Sequence, residues 1–224
     1  MDHDPAPTSG PPSGPPAWVP ADAVRVAGLL SIAVAVVGFD GVAVALMLLV
    51  LGGLMVPRAL GIPGRVDVAY GSSLLVAAWS GVLGLYERIS WWDLAVHTAV
   101  TGMVAVIGYL VAVRVGVARD PADADAVVHR WGVAALVTGL GLGLSVLWEI
   151  AEWLGHTYVD PSINVNEVDT LGDLAAGGIG ALVAGHGLVT LARRAAASPD
   201  PVPDDGAVRR RTDSGRTAGG PRPR

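Results

Sequence analysis

The 224-residue chain contains no cysteine, no lysine and a single phenylalanine. Without cysteine there is no disulfide framework, no thiolate metal site and no cysteine nucleophile. Charge of either sign is scarce: 16% of residues are charged against 52% hydrophobic, which excludes an ordinary soluble domain and fits a membrane protein. The formal net charge of −5, with an Arg-rich C-terminal end flanked by Asp, leaves no electrostatic footprint for nucleic acid. Proline is nearly missing from the middle of the chain, because twelve of the sixteen lie in residues 1–21 and 195–224. The heavy use of Ala, Val, Gly and Arg suggests a GC-rich bacterial source.

What is present divides into three parts. Residues 1–21, rich in Pro, Gly, Ser and Asp, and 195–224, rich in Pro, Asp and Arg, are too poor in apolar groups to fold, so both are expected to be disordered tails. The first tail has no basic residue ahead of its apolar run and so lacks the start of a signal peptide. Residues 22–194 form the expected all-α transmembrane helical domain, a polytopic bundle of about six spans. The first apolar block, 22–57, would make a single helix of roughly 50 Å, well beyond a hydrocarbon core of about 30 Å. Asp40-Gly41 breaks it into helices over 22–38 and 41–57. Further spans are expected at 67–85, 91–115, 131–154 and 170–191, with loops at 58–66 and 119–130.

Six spans put both termini on one side, and arginine chooses the side. Arg58, Arg65, Arg114, Arg119, Arg130, Arg193 and Arg194 fall with the termini, whereas the opposite loops carry only Arg88. The positive-inside rule therefore makes both termini cytoplasmic in a bacterial inner membrane.

Three acidic segments then converge on the outer side. Asp93 and His97 are four apart and share a helix face, as are Asp169 and Asp173. Glu149, Glu152 and His156 span an arc of roughly 60° on a helix. Ionisable groups at such depth are costly and mark function by default. Carboxylate and imidazole without sulfur suit Mg, Mn, Fe or Zn, and the same groups can instead hold protons for transport. The main site residues are Asp93, His97, Glu149, Glu152 and Asp173, with Asp169 and His156 secondary.

Each has a structural alternative. Ser90-Trp-Trp-Asp93 and Thr170-Leu-Gly-Asp173 both match the capping box, Asp169 suits a cap or loop, and His156 suits an exposed loop. Capping cannot account for Glu149 and Glu152, which lie near the C-terminal end of a helix, where the dipole disfavours acids. His97 is the natural partner for Glu149. Trp92 and Trp148, with Trp91 and Trp153, read as an interfacial aromatic belt. Gly139, Gly143, Gly177, Gly178 and Gly180 allow close helix approach.

The segments ERISWWDLAVHTAVTG (87–102), LWEIAEWLGHTY (147–158) and VDTLGDLAAGGIGALVAG (168–185) resemble the YjdF-like family of uncharacterised bacterial inner-membrane proteins, in order and spacing. The resemblance implies a membrane protein and singles out Trp92, Asp93, His97, Trp148, Glu149, Glu152, Asp169, Thr170 and Asp173, but implies no reaction. The acidic order is loosely similar to VanZ-like membrane proteins as well. Three functions follow as expectations. One is a metal-dependent membrane enzyme acting on a lipid or envelope substrate. The second is a small transporter or proton-coupled carrier, and the third is a non-catalytic scaffold. The partner common to all three is the lipid bilayer.

The orientation is open to a direct check. Single cysteines at Asn164 and at Asp204 in this cysteine-free chain are expected to differ toward an impermeant thiol reagent: in intact cells the first labels and the second does not. The reverse pattern would invert the topology.

Overall fold

A computed structural model describes residues 18–122, 127–161, 163 and 165–197. The expected tails lie largely outside the described residues, although Ala195–Ala197 continue the last helix. Seven helices follow in order: α1 (Asp22–Gly38), α2 (Gly41–Leu60), α3 (Gly64–Val82), α4 (Leu85–Arg88), α5 (Trp92–Arg114), α6 (Val127–Tyr158) and α7 (Glu167–Ala197).

Four of them, α2, α5 and residues 130–158 and 167–195 of the last two, are long and apolar enough to cross a membrane. The six-span expectation is thus met only in part. α1 has 17 residues, and α3 carries Arg65, Asp67 and the hydroxyls of Tyr70, Ser72, Ser73 and Ser80.

The break between α1 and α2 falls at Phe39-Asp40, where the Asp40 carboxylate accepts from the Ala43 N–H at 2.9 Å and caps α2. The expected loop 58–66 is shorter, because α2 runs through Pro57 to Leu60. Proline removes one i→i−4 bond, but Pro57 is fully buried, and packing holds the turn that follows it. The helix ends at Gly61, whose φ of 63° is the left-handed conformation glycine tolerates. Gly84, also at φ 63°, turns the chain into the one-turn α4, an element the hydrophobic pattern does not signal.

Two packed groups result. α1, α2 and α3 share a core of Ala35, Ala43, Met47, Val50, Leu54 and Ala78. α5, α6 and α7 share a second, built on Ala105, Val106, Tyr109, Val133, Val137, Ala181 and Val189. At the end where α1 and α3 begin, buried Arg25 grips Asp67 through two bonds of 2.8 and 3.0 Å and also contacts Asp22 at 3.2 Å. Arg58 and Arg114 lie at the same end, Arg58 beside Asp22 and Arg114 donating to the Leu60 carbonyl. The opposite end gathers the start of α5, the end of α6 and the start of α7.

Glycine sets the spacing of this second group. A Cβ on Gly180 of α7 would run into the Thr98 carbonyl of α5, and a Cβ on Gly102 would lie 2.8 Å from the Gly180 carbonyl oxygen. A Cβ on Gly177 would lie 2.6 Å from the Ser145 hydroxyl of α6. The backbones of α5 and α7 therefore touch, the close approach small residues permit in membranes.

Gly180→Ala must push α5 and α7 apart and is expected to cost about 1–3 kcal/mol, the usual range for overpacking. Gly187→Ala, whose Cβ would meet nothing within 4 Å, is expected to stay within about 0.5 kcal/mol of wild type. Unfolding of both variants in detergent micelles makes the comparison; equal midpoints would show that the contact does not set the packing.

Candidate functional site

The start of α5 is held by α3. The Trp92 indole N–H donates to the Ser80 hydroxyl at 2.8 Å, and Ser80 donates to the Val76 carbonyl at 2.7 Å. Trp92 is half-buried and fixed by this bond, so it is a positioning side chain rather than a freely exposed belt residue. Tyr86 of α4 donates to the Ala77 carbonyl at 2.9 Å. Burial, with Asp93, Glu152 and Asp173 nearby, raises the Tyr86 phenol above its ordinary range and keeps it a proton donor. Neither Ser80 nor Tyr86 is signalled by any motif; the tether between α3 and α5 becomes visible only once the helices are packed.

The capping boxes are not used as the spacing suggests. The residue preceding α5 is Trp91, with no side-chain cap, so Asp93 lies inside the first turn. α7 starts three residues before Thr170 and is capped by Asn166, whose Oδ1 accepts from the N–H groups of Val168 and Asp169 at 3.1 Å each. Asp173 thus sits in the second turn of α7, at 2% exposure, where capping cannot explain it.

Asp93, His97 and Asp173 come together. His97 Nε2 lies 3.5 Å from Asp93 Oδ1 and 3.8 Å from Asp173 Oδ2. One donor atom from each of the three falls within 4.8 Å of the others. These separations are too long for hydrogen bonds. They match the spacing of neighbouring ligands around one ion, since tetrahedral donors bound at about 2.1 Å stand roughly 3.4 Å apart. The second oxygen of Asp173, Oδ1, is enclosed and has no hydrogen-bond partner. A buried carboxylate oxygen left in that state is costly unless something else reaches it.

The remaining acids ring this trio. Glu149 and Glu152 of α6 lie within electrostatic reach of Asp93, and Asp169 within reach of both Asp93 and His97. The carboxylates with 4 Å access to His97 are Asp93 and Asp173, so the expected His97–Glu149 pair does not form. Glu149 instead lines a cavity together with Thr170 of α7, and its Oε1 is enclosed without a partner. Glu152 lies one turn after Trp148 on α6. Trp148 is 40% exposed and presents an apolar face outward.

His156 is neither a loop residue nor part of the trio. It lies in the last turn of α6, and its Nδ1 is 2.7 Å from the Ile163 carbonyl oxygen, tying the following turn back onto the helix.

Chemically, two carboxylates and one imidazole form a mixed oxygen and nitrogen donor set for a divalent cation. A family model described as "Predicted membrane protein (DUF2238)" matches residues 23–194, and the chain belongs to that family. No curated protein and no solved structure matches it.

Proposed function

We propose that this DUF2238 membrane protein binds a divalent cation through Asp93, His97 and Asp173, and that the cation serves a reaction on a lipid or envelope substrate at one face of the membrane. The observation that carries the reading is the convergence of three donor atoms within 4.8 Å around a buried Asp173 whose second oxygen is unpartnered. A cation there offsets the crowded carboxylates and would act as a Lewis acid on an anionic group of the substrate. Glu149 and Glu152, within electrostatic reach of Asp93, would handle protons or hydrogen bonds beside it.

The distribution of charge supports the orientation. Arg25, Arg58, Arg65, Arg114, Arg193 and Arg194 fall at the end away from the trio, with the beginning of α1 and the end of α7. The positive-inside rule then gives cytoplasmic termini and a site on the outer side of a bacterial inner membrane, with α1 and α3 completing six spans. A proton-coupled carrier is disfavoured by what lies deeper. On α7 no ionisable side chain separates Asp173 from His186, and on α5 only Tyr109 lies between His97 and Arg114. Along α5 and α7 a relay across the bilayer has few groups to run on.

The test is a thermal-unfolding series in detergent with Mg, Mn, Zn and a chelator, on wild type, Asp173→Asn and His97→Gln. One metal at about a hundred times its dissociation constant should stabilise wild type by roughly 2.7 kcal/mol, a shift of several degrees. Both variants should lose that shift, and the chelator should abolish it. A wild-type midpoint that no metal moves, or a shift that persists in Asp173→Asn, would sink the reading.

A further inference from the structure

A cavity of about 330 Å³ lies between the end of α6 and the start of α7. Val146, Ile150, Trp153 and Leu174 form its apolar walls, and Glu149 and Thr170 are its polar lining. Its size falls in the ordinary range of ligand pockets. The surface around it is apolar and exposed: Leu147 is 62% exposed and Leu171 61%. Val146, Ile150 and Trp153 are themselves 44–50% exposed, and both helices are membrane-spanning by length and composition. The cavity thus adjoins a surface that faces lipid, with its carboxylate within electrostatic reach of Asp93.

We propose that this cavity holds the hydrocarbon chain of a phospholipid whose head carries an N–H donor, with Glu149 receiving that donor and the phosphate turned toward the Asp93–His97–Asp173 cation site. The phosphate contact rests on the cation reading above; the chain and donor contacts do not. Three observations select this occupant. The walls are hydrocarbon, so a chain desolvates them at no polar cost. The lining includes the Glu149 carboxylate, and an ammonium head complements it in both charge and hydrogen bonding. Glu149 is within electrostatic reach of Asp93, so a head on Glu149 is brought within the same reach of the trio. A second cavity of about 360 Å³, between α3 and α5, has Ser72 and Ser73 as hydroxyl lining and no acid. It can accept a chain but has nothing to select a head, and it serves as an internal control.

The experiment uses the full chain in nanodiscs of phosphatidylglycerol and phosphatidylcholine. They are doped in turn with photoreactive phosphatidylethanolamine or photoreactive phosphatidylcholine bearing the same diazirine acyl chain. Phosphatidylcholine has the phosphate and the positive charge but no N–H. Peptides from 146–153 and 165–174 should be labelled several-fold more by the ethanolamine lipid, and peptides lining the α3–α5 cavity equally by both. Ile150→Trp, at an exposed wall position, should remove the preference. Equal labelling of wild type by the two lipids would overturn the proposal, and that comparison needs no variant. A preference that survives Ile150→Trp and maps to other peptides would overturn it too. The cation thermal shift, measured on the same preparation, separates the two readings. A shift without lipid preference refutes the lipid site alone. A lipid preference without a shift refutes the cation and the phosphate contact while upholding the chain and donor contacts.

Discussion

The contact between the Thr98 carbonyl of α5 and Gly180 of α7 is the constraint on which the candidate site depends. His97 is the residue before Thr98, and Asp173 is seven residues before Gly180, close to two full turns. One glycine thereby fixes the distance across which His97 and Asp173 face each other. The same logic extends along each helix. On α7, Asp173, Gly177, Gly180 and Ala181 form one stripe; on α6, Gly141, Ser145, Glu149 and Glu152 form another. On α5, His97, Thr101 and Ala105 complete the set. Three stripes of small residues, each ending in ionisable groups at the same end of the bundle, pull backbones together and leave the acids no room to separate.

Electrostatics is managed differently at the two ends. Around Arg25, cations and anions are matched, and the guanidinium satisfies Asp67 with two bonds. Breaking such a buried pair by removing one partner is strongly destabilising, so that end reads as a structural clamp. Around His97 the balance is unequal: Asp93, Glu149, Glu152, Asp169 and Asp173 face one imidazole. Two carboxylate oxygens there are enclosed without partners. The two ends differ in kind: the Arg25 end is held by ion pairs, although Arg25 Nε is itself enclosed without a partner, and the His97 end is crowded with carboxylates, as the proposed cation site requires.

Much of this was legible in the sequence. The all-helical membrane class, the break at Asp40 and the identity of the acidic segments follow from hydropathy, a turn dipeptide and the cost of ionisable groups in an apolar run. The glycine signal pointed to close packing of the last two helices, but the tightest contact is between α5 and α7. Gly180 is one of four glycines over 172–180, with Gly172, Gly177 and Gly178, and spacing alone does not say which one meets a backbone. Helix ends were less legible. The pattern placed starts at Ser90 and Thr170 from capping boxes, whereas Asn166 caps α7, because a side chain with two acceptable partners wins over a spacing rule. Pro57 and Pro63 suggested a long loop, yet buried packing carries α2 to Leu60. His156 was misread because the helix runs to Tyr158, past the point where the apolar run ends. The roles of Ser80, Tyr86 and Thr170 depend on tertiary neighbours and have no local signature.

The central claim, that α5 and α7 jointly hold one cation, is tested most directly by pulsed electron paramagnetic resonance on the manganese-loaded protein in detergent. Histidine is labelled with nitrogen-15, and wild type is compared with His97→Gln. The account predicts a coupling to one directly bound histidine nitrogen in wild type and its loss in the variant, while His156→Gln and His186→Gln retain it. Bound manganese with no nitrogen coupling, or a coupling that survives His97→Gln, would contradict it.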